Sequence, residues 1–183
     1  ISDDGFESVY TYSGNLITKI QSYLDGNLET TETLAYNSSN QLISYSDNSL
    51  FGLISESYTH NTDGTISFSR SEDGDLYSTG VITLVGNDVS KVVTNYEFDL
   101  TTTNIYTYDT KNSPFKNIVG YKWILLCGVS ENQSDGCDHN ILTYTDSESP
   151  FNNYTCTYTY NSLNFPTFIS YSGNQGTATV TYN

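Results

Sequence analysis

Tyr10-Thr11-Tyr12-Ser13-Gly14-Asn15-Leu16-Ile17 decides the fold, because it returns along the chain in imperfect copies. Ala35-Tyr36-Asn37-Ser38-Ser39-Asn40-Gln41-Leu42-Ile43 and Tyr58-Thr59-His60-Asn61-Thr62-Asp63-Gly64-Thr65-Ile66 follow. Later copies are Tyr106-Thr107-Tyr108-Asp109-Thr110-Lys111-Asn112-Ser113-Pro114 and Tyr158-Thr159-Tyr160-Asn161-Ser162-Leu163-Asn164-Phe165-Pro166. Side chains alternate across a strand, so Tyr-Thr-Tyr sets two rings on one face and a threonine on the other. The Asn, Asp, Ser and Gly that follow tolerate the left-handed backbone of a hairpin turn, and an apolar strand then runs back. Early copies lie about 23 residues apart, the length of one two-stranded hairpin with its turns. Further turns are signalled at Asp25-Gly26-Asn27, Asp73-Gly74-Asp75, Gly86-Asn87-Asp88 and Gly173-Asn174. Short strands with this punctuation predict an all-β fold, an antiparallel meander of hairpin repeats forming one long, twisted, curved sheet.

Composition agrees. Helix formers are scarce beside Ser, Thr, Asn, Tyr and Gly, which suit pleated surfaces and turns. Aromatic residues make up 14% of the 183 residues, with 17 Tyr and 8 Phe, against 36% hydrophobic residues overall. That mixture predicts a thin aromatic core, one face of the sheet buried and the other wet. The rhythm breaks between 110 and 140, where Pro114 can open a short helix and Trp123 to Val129 is an apolar run ambiguous between strand and helix. Glu131 to Asn140 reads as a polar loop, and Ser149-Pro150-Phe151 echoes the earlier Ser-Pro-Phe. Residues 1–9 are expected to be a polar tether and 10–183 a single domain.

The formal net charge is −15, from 6 Lys and Arg against 21 Asp and Glu. Phosphate binding needs clustered cations, so nucleic acid and anionic lipid surfaces are disfavoured as partners. Such acidity suits solubility in an exterior compartment. Met is absent and the first residue is Ile1, which fits removal of a secretory or lipoprotein signal. The longest apolar run falls far short of the roughly 20 residues of a membrane-spanning helix.

The Tyr-x-Tyr-(Asn/Asp) unit with its following turn resembles the tyrosine–aspartate, or RHS-type, repeat. Residues 106–118 beside these repeats are similar to uncharacterised outer-membrane lipoproteins of Bacteroidota. The resemblance covers about residues 10–182. It implies export, a lipid anchor on a cysteine upstream of Ile1, an outer-membrane or cell-surface address, and no catalytic residues. Only Tyr108-Asp109 keeps the eponymous dipeptide.

Chemistry-bearing constellations are weak. Cys127, Cys137, Asp138 and His139 gather near one loop but lack the two-to-four-residue spacing of a zinc knuckle. Cys127 and Cys137 could pair as a disulfide in an oxidising compartment, leaving Cys156 buried in a strand. Asp3-Asp4 and Glu72-Asp73-Gly74-Asp75 concentrate carboxylates without the alternation of a calcium loop. Nucleophile signatures are missing, and His60 occupies a slot that is Tyr12, Tyr108 or Tyr160 in other copies, an aromatic-sized position. Glu29, Glu32, Glu56 and Glu97 could supply a carboxylate pair only if the fold brought two together. The sequons at Asn37, Asn132 and Asn153 are expected by chance in so Ser- and Thr-rich a chain. Tyr23, Tyr45, Tyr77, Tyr121, Trp123 and Tyr171 are candidate platforms for a partner or a sugar, each also able to belong to the core. The sequence therefore predicts a protein without cofactor or catalytic activity. It would serve as an accessory protein-binding subunit of an outer-membrane protein complex or, alternatively, as a surface glycan-binding module.

Overall fold

The computed structural model describes residues 5–49, 52–97, 99–127, 136–172 and 176–182. Asp3-Asp4, Asn132, the Gly173-Asn174 turn and the first half of the Glu131 to Asn140 loop lie outside them.

Among the described residues thirteen antiparallel strands follow one another in chain order in one unclosed sheet. They are β1 (Phe6–Ser13), β2 (Leu16–Leu24), β3 (Asn27–Tyr36), β4 (Leu42–Ser49), β5 (Gly52–His60), β6 (Ile66–Glu72), β7 (Asp75–Val85), β8 (Asp88–Tyr96), β9 (Thr101–Tyr108), β10 (Ile141–Asp146), β11 (Tyr154–Tyr160), β12 (Pro166–Tyr171) and β13 (Thr177–Thr179). The expected meander is the observed one. Its first strand starts at Phe6, so the sheet already takes in residues 6–9, where Phe6 to Val9 pair with Gln21 to Leu24.

Two kinds of turn recur between the strands. Asp25-Gly26 and Asp73-Gly74 make two-residue turns with φ of 51° and 81°, and of 51° and 95°. Positive φ at both central residues is the turn whose twist matches the flanking strands. The second kind is built on the Asn or Asp of the repeat. Asn37 Oδ1 accepts the backbone N–H of Ser39 and Gln41 at 2.9 and 3.0 Å, and Asn161 Oδ1 does the same for Leu163 and Phe165. The polar side chain thus stands in for a backbone partner and holds the loop shut.

Asp109 has the same role at the break in rhythm. Its N–H donates to Asn140 O at 3.0 Å, and its Oδ1 accepts from Lys111 N and Asn140 N. Asn37 meets Gln41 in this way four residues on; Asp109 meets Asn140. Residues 110–139 are therefore an insertion inside an otherwise ordinary hairpin turn between β9 and β10. The insertion carries the one short α-helix among the described residues, α1 (Tyr121–Ile124), so the ambiguous apolar run from Trp123 starts as helix.

The insertion lies across the inner face of the sheet. Leu126 belongs to the same buried cluster as Ile17, Ile20, Leu34, Leu42, Ile66, Ile82, Val92 and Tyr106, with Trp123, Ile124 and Cys127 packed against it. Asn112 N donates to Asn164 O, beyond β11, while a Cβ on Gly120 would sit 3.0 Å from Asn15 O, at the β1–β2 turn. Ten strands of flat sheet span about 48 Å at about 4.8 Å each, whereas the stretch from 112 to 120 reaches at most about 29 Å. The sheet is consequently curled around the insertion.

Most return strands enter through a bulge, with one extra residue opposite the preceding strand: Thr18, Ile43, Ser90, Leu142 and Thr167. A bulge disrupts the ladder and leaves backbone groups to be satisfied otherwise. The carbonyl just before each is met by an aromatic side chain from the next strand along or, at Pro166, from just beyond β13. Tyr36 donates to Ile17 O (2.6 Å), Tyr108 to Val89 O (2.6 Å), Tyr158 to Ile141 O (2.6 Å) and Tyr182 to Pro166 O (2.8 Å). His60 fills the same place, its Nε2 2.8 Å from Leu42 O.

Tyr36→Phe removes only the hydroxyl and leaves Ile17 O unmet. It should cost about 1–2 kcal/mol in urea unfolding, whereas Tyr12→Phe, on a half-exposed ring, should cost less than about 0.5 kcal/mol.

Candidate functional site

The inner face has two halves. Toward the insertion it is apolar, as above. Toward the opposite end, period-two alternation brings polar side chains to the same parity as the core. In β6, Ile66, Phe68 and Arg70 share one face; in β5, Glu56, Tyr58 and His60 do. One cross-strand rank reads Leu34, Tyr45, Glu56, Arg70, Ser78, Tyr96, and the next reads Ile20, Glu32, Asp47, Ile54, Glu72, Asp75.

Arg70 is 2% exposed and sits among carboxylates, 3.5 Å from Glu56 and 3.2 Å from Glu72, with the Tyr77 ring 5.8 Å from its guanidinium carbon. Tyr58 donates to Glu56, and its hydroxyl also lies 3.2 Å from Leu126 O, which ties the insertion to this cluster. Tyr45 donates to Glu32 at 3.2 Å. Burial raises the Glu32 carboxyl above its ordinary value, against the lowering effect of Tyr45 and with a further push from Asp47. Burial raises Asp47 too, opposed by Arg70. Arg70 is thus held between Glu56 and Glu72, with Glu32 and Asp47 on the neighbouring rank. Among the described residues no group of three or more His, Cys, Asp or Glu is arranged to hold a metal ion.

The six aromatic candidates do not form one platform. Tyr23 lies half-buried in β2, paired with Leu28 in β3. Tyr45 faces the charge cluster. Tyr121 and Trp123 ride on α1, Tyr121 stacked on Phe115 at 4.6 Å and Trp123 edge-on to His60 at 5.7 Å. Tyr171 meets Tyr154 edge-to-face at 5.9 Å. Tyr77 alone of the six is exposed, at 43%, beside Tyr96. Together with Asn95 and Glu97, these two rings line a shallow groove.

The expected disulfide between Cys127 and Cys137 is not formed; all three cysteines are thiols. The two belong to different surroundings. Cys127 follows α1 and turns inward, its Sγ 3.4 Å from Trp123 O and near Glu56 and Glu32, while Cys137 lies beside Asp138 and Asp88. Cys156 is buried in β11.

Among the described residues β1 forms one edge of the sheet. Phe6, Val9, Tyr10 and Tyr12 are each 42–46% exposed, and β1 pairs only with β2. It carries neither Lys nor Pro, the residues that usually blunt an edge. The opposite edge, β13, is three residues long.

The sequence matches no protein-family model and no curated protein. Among solved structures it is similar to a porin-like protein from Bacteroides uniformis, at 12% identity and a TM-score of 0.52. The match covers 90% of this chain and 69% of that one. At that identity the likeness is one of fold: a long antiparallel meander.

Two measurements check this description. Raised carboxyl pKa values mean that the folded state holds protons the unfolded state has released. From about pH 4 upward, Glu32 and Asp47 therefore take away stability as the pH rises. Asp109, lowered by its hydrogen bonds from Tyr160, Lys111 and Asn140 despite burial, acts with the opposite sign and only below that range. The pair Glu32→Gln and Asp47→Asn should raise the thermal midpoint at pH 7 and lose that advantage toward pH 4. Burial pushes the Cys127 thiol well up and Cys137 up to about 11. Iodoacetamide at pH 8 should thus label the native protein slowly and all three cysteines quickly in urea.

Proposed function

We propose that this chain is a non-catalytic, lipid-anchored protein of the outer membrane or cell surface, acting as an accessory protein-binding subunit of an outer-membrane complex. The observation that carries the reading is β1. An eight-residue edge with aromatic and apolar side chains half in water is the template to which a partner's strand adds by backbone hydrogen bonds. The acidic composition of an exterior protein and the fold shared with a porin-like protein support the address. A second reading, a surface glycan-binding module, is favoured by one feature only, the groove in which Tyr77 faces solvent beside Tyr96, Asn95 and Glu97.

The test is a mild-detergent pull-down from the native membrane with a tag at Asn183. A stoichiometric outer-membrane protein should co-purify, and Tyr10→Lys with Tyr12→Lys should release it without changing the circular dichroism spectrum. Recovery of the chain alone would overturn the subunit reading. Glycan binding that fails in Tyr77→Ala would then establish the second.

A further inference from the structure

β1 reads Phe6-Glu7-Ser8-Val9-Tyr10-Thr11-Tyr12-Ser13, and the order of its side chains suits a second copy of the same strand. Ser8, Tyr10 and Tyr12 lie on the inner face, since they stand opposite Ser22, Ile20 and Ile17 of β2, all three buried. Phe6 shares their parity, and Glu7, Val9 and Thr11 take the outer face by alternation. The extra residue of the β1–β2 bulge is Thr18 in β2, so β1 itself is regular. Among the described residues its other side is an unpaired sheet edge.

Antiparallel pairing of two such strands keeps both inner faces on one side only where like parity meets like parity. Centred on Val9, the pairing sets Phe6 against Tyr12 and Ser8 against Tyr10, each twice about the two-fold axis. Rings face rings at the two ends, and Tyr10 packs over the small Ser8 between them. On the outer face Val9 meets its own copy and Glu7 meets Thr11.

Charge separates this register from its neighbours. Thr11 pairs with Lys19 in β2, so one outer rank holds Glu7 of one copy, then Thr11 and Lys19 of the other. Two inter-strand steps span about 10 Å, which the two long side chains close across the short threonine. Neither Glu7 nor Lys19 has a charged partner among the described residues. A shift of two residues either way loses both pairs, because Glu7 then faces Ser13 or Val9, with Leu16 or Gln21 beyond.

The net charge of −15 opposes self-association, and the antiparallel arrangement eases that opposition. Asp25, whose N–H donates to Gly5 O, marks the acidic end of β1 beside Glu7. Antiparallel pairing carries this end to the other copy's Ser13 to Leu16, which hold no carboxylate. A parallel pair would instead bring Glu7 beside Glu7.

We propose that β1 pairs antiparallel with β1 of a second copy of this chain, centred on Val9, to give a two-fold dimer with one continuous sheet. The proposal rests on the same open edge as the subunit reading: self-pairing covers that edge until a partner's strand displaces it.

Sedimentation equilibrium at physiological salt, from low micromolar to submillimolar chain, should show a monomer–dimer equilibrium. Lys19→Glu should weaken it about fivefold, and adding Glu7→Lys should restore it to within about twofold. The register has its own readout. Val9 is the one position that faces its own copy, so Val9→Cys should give a disulfide-linked dimer under mild oxidation, whereas Thr11→Cys should not. A monomer at every concentration, a dimer indifferent to the charge swap, or crosslinking of Thr11→Cys as ready as that of Val9→Cys would each overturn the proposal. The pull-down reports separately: a monomer that still co-purifies with a membrane partner keeps the subunit reading, and a dimer recovered without one loses it.

Discussion

An aromatic side chain that answers the carbonyl at a β-bulge is the contact on which this sheet depends. Each bulge gives the returning strand extra twist and leaves one backbone acceptor without its ladder partner. Tyr36, Tyr108, Tyr158 and Tyr182 supply a hydroxyl at that point, and His60 supplies a ring nitrogen. The remaining described return strand behind an Asn turn, β6, enters in unbroken register, His60 opposite Ile66 and Thr59 opposite Ser67. No tyrosine of β7 comes to Ile66, and there the inner face needs none. At these five entries bulge and aromatic donor go together because a buried carbonyl without a partner costs more than the hydrogen bond itself gains, whereas the bulges at Glu29 and Tyr77 lie at the other end of their strands. Since the ring comes from the strand beyond, the contact fastens consecutive hairpins as well as strands within one hairpin.

The insertion draws on the same hardware. Asp109 holds Asn140 as Asn37 holds Gln41, so thirty residues can be spliced into a turn without disturbing the strands on either side. Loop closure grows costlier only slowly with length, and here the loop recovers that cost by burying Trp123, Ile124 and Leu126 on the inner face. At the splice the pattern slips by two residues: Tyr158 takes the bulge carbonyl at Ile141, and Tyr160 donates instead to Asp109. Tyr160 thereby braces the carboxylate that closes the insertion. The hairpins supply a curled surface, and the insertion supplies the second layer that a one-sided sheet otherwise lacks.

Much of this was legible in the residues. The copies of Tyr-x-Tyr with a following Asn or Asp marked the turns, because αL-tolerant residues and ring alternation are local properties. Arg70 was also readable, since it stands at the parity of Ile66 and Phe68, where a cation must find a buried partner. Glu56, at the parity of Tyr58, is that partner. Whether Cys127 and Cys137 meet could not be read from the residues, because separation along the chain says nothing about direction; in this structure both are free thiols. One thiol follows a helix that turns into the core, and the other lies beside Asp88, some fifty positions earlier in sequence. The Asp88–His139 pair was hidden for the same reason: its members meet only once β8 and the end of the insertion are brought together by the curl of the sheet.

Curvature also separates the places where this molecule can meet others. Outward, the strands carry Ser and Thr, often bonded across the ladder as in Thr33 with Ser46, Ser57 with Ser69 and Thr107 with Thr143. Between these pairs stand single exposed apolar side chains, such as Val81 and Ile105. Inward, the apolar half is taken by the insertion and the polar half by its own ion pairs. What the fold leaves open is its ends. β13 is too short to template a long strand, whereas β1 offers eight residues with rings on its inner side. A meander that closes its middle with an insertion rather than by joining its edges keeps an edge available. That is the physical reason the proposed contact with a partner strand is placed along β1.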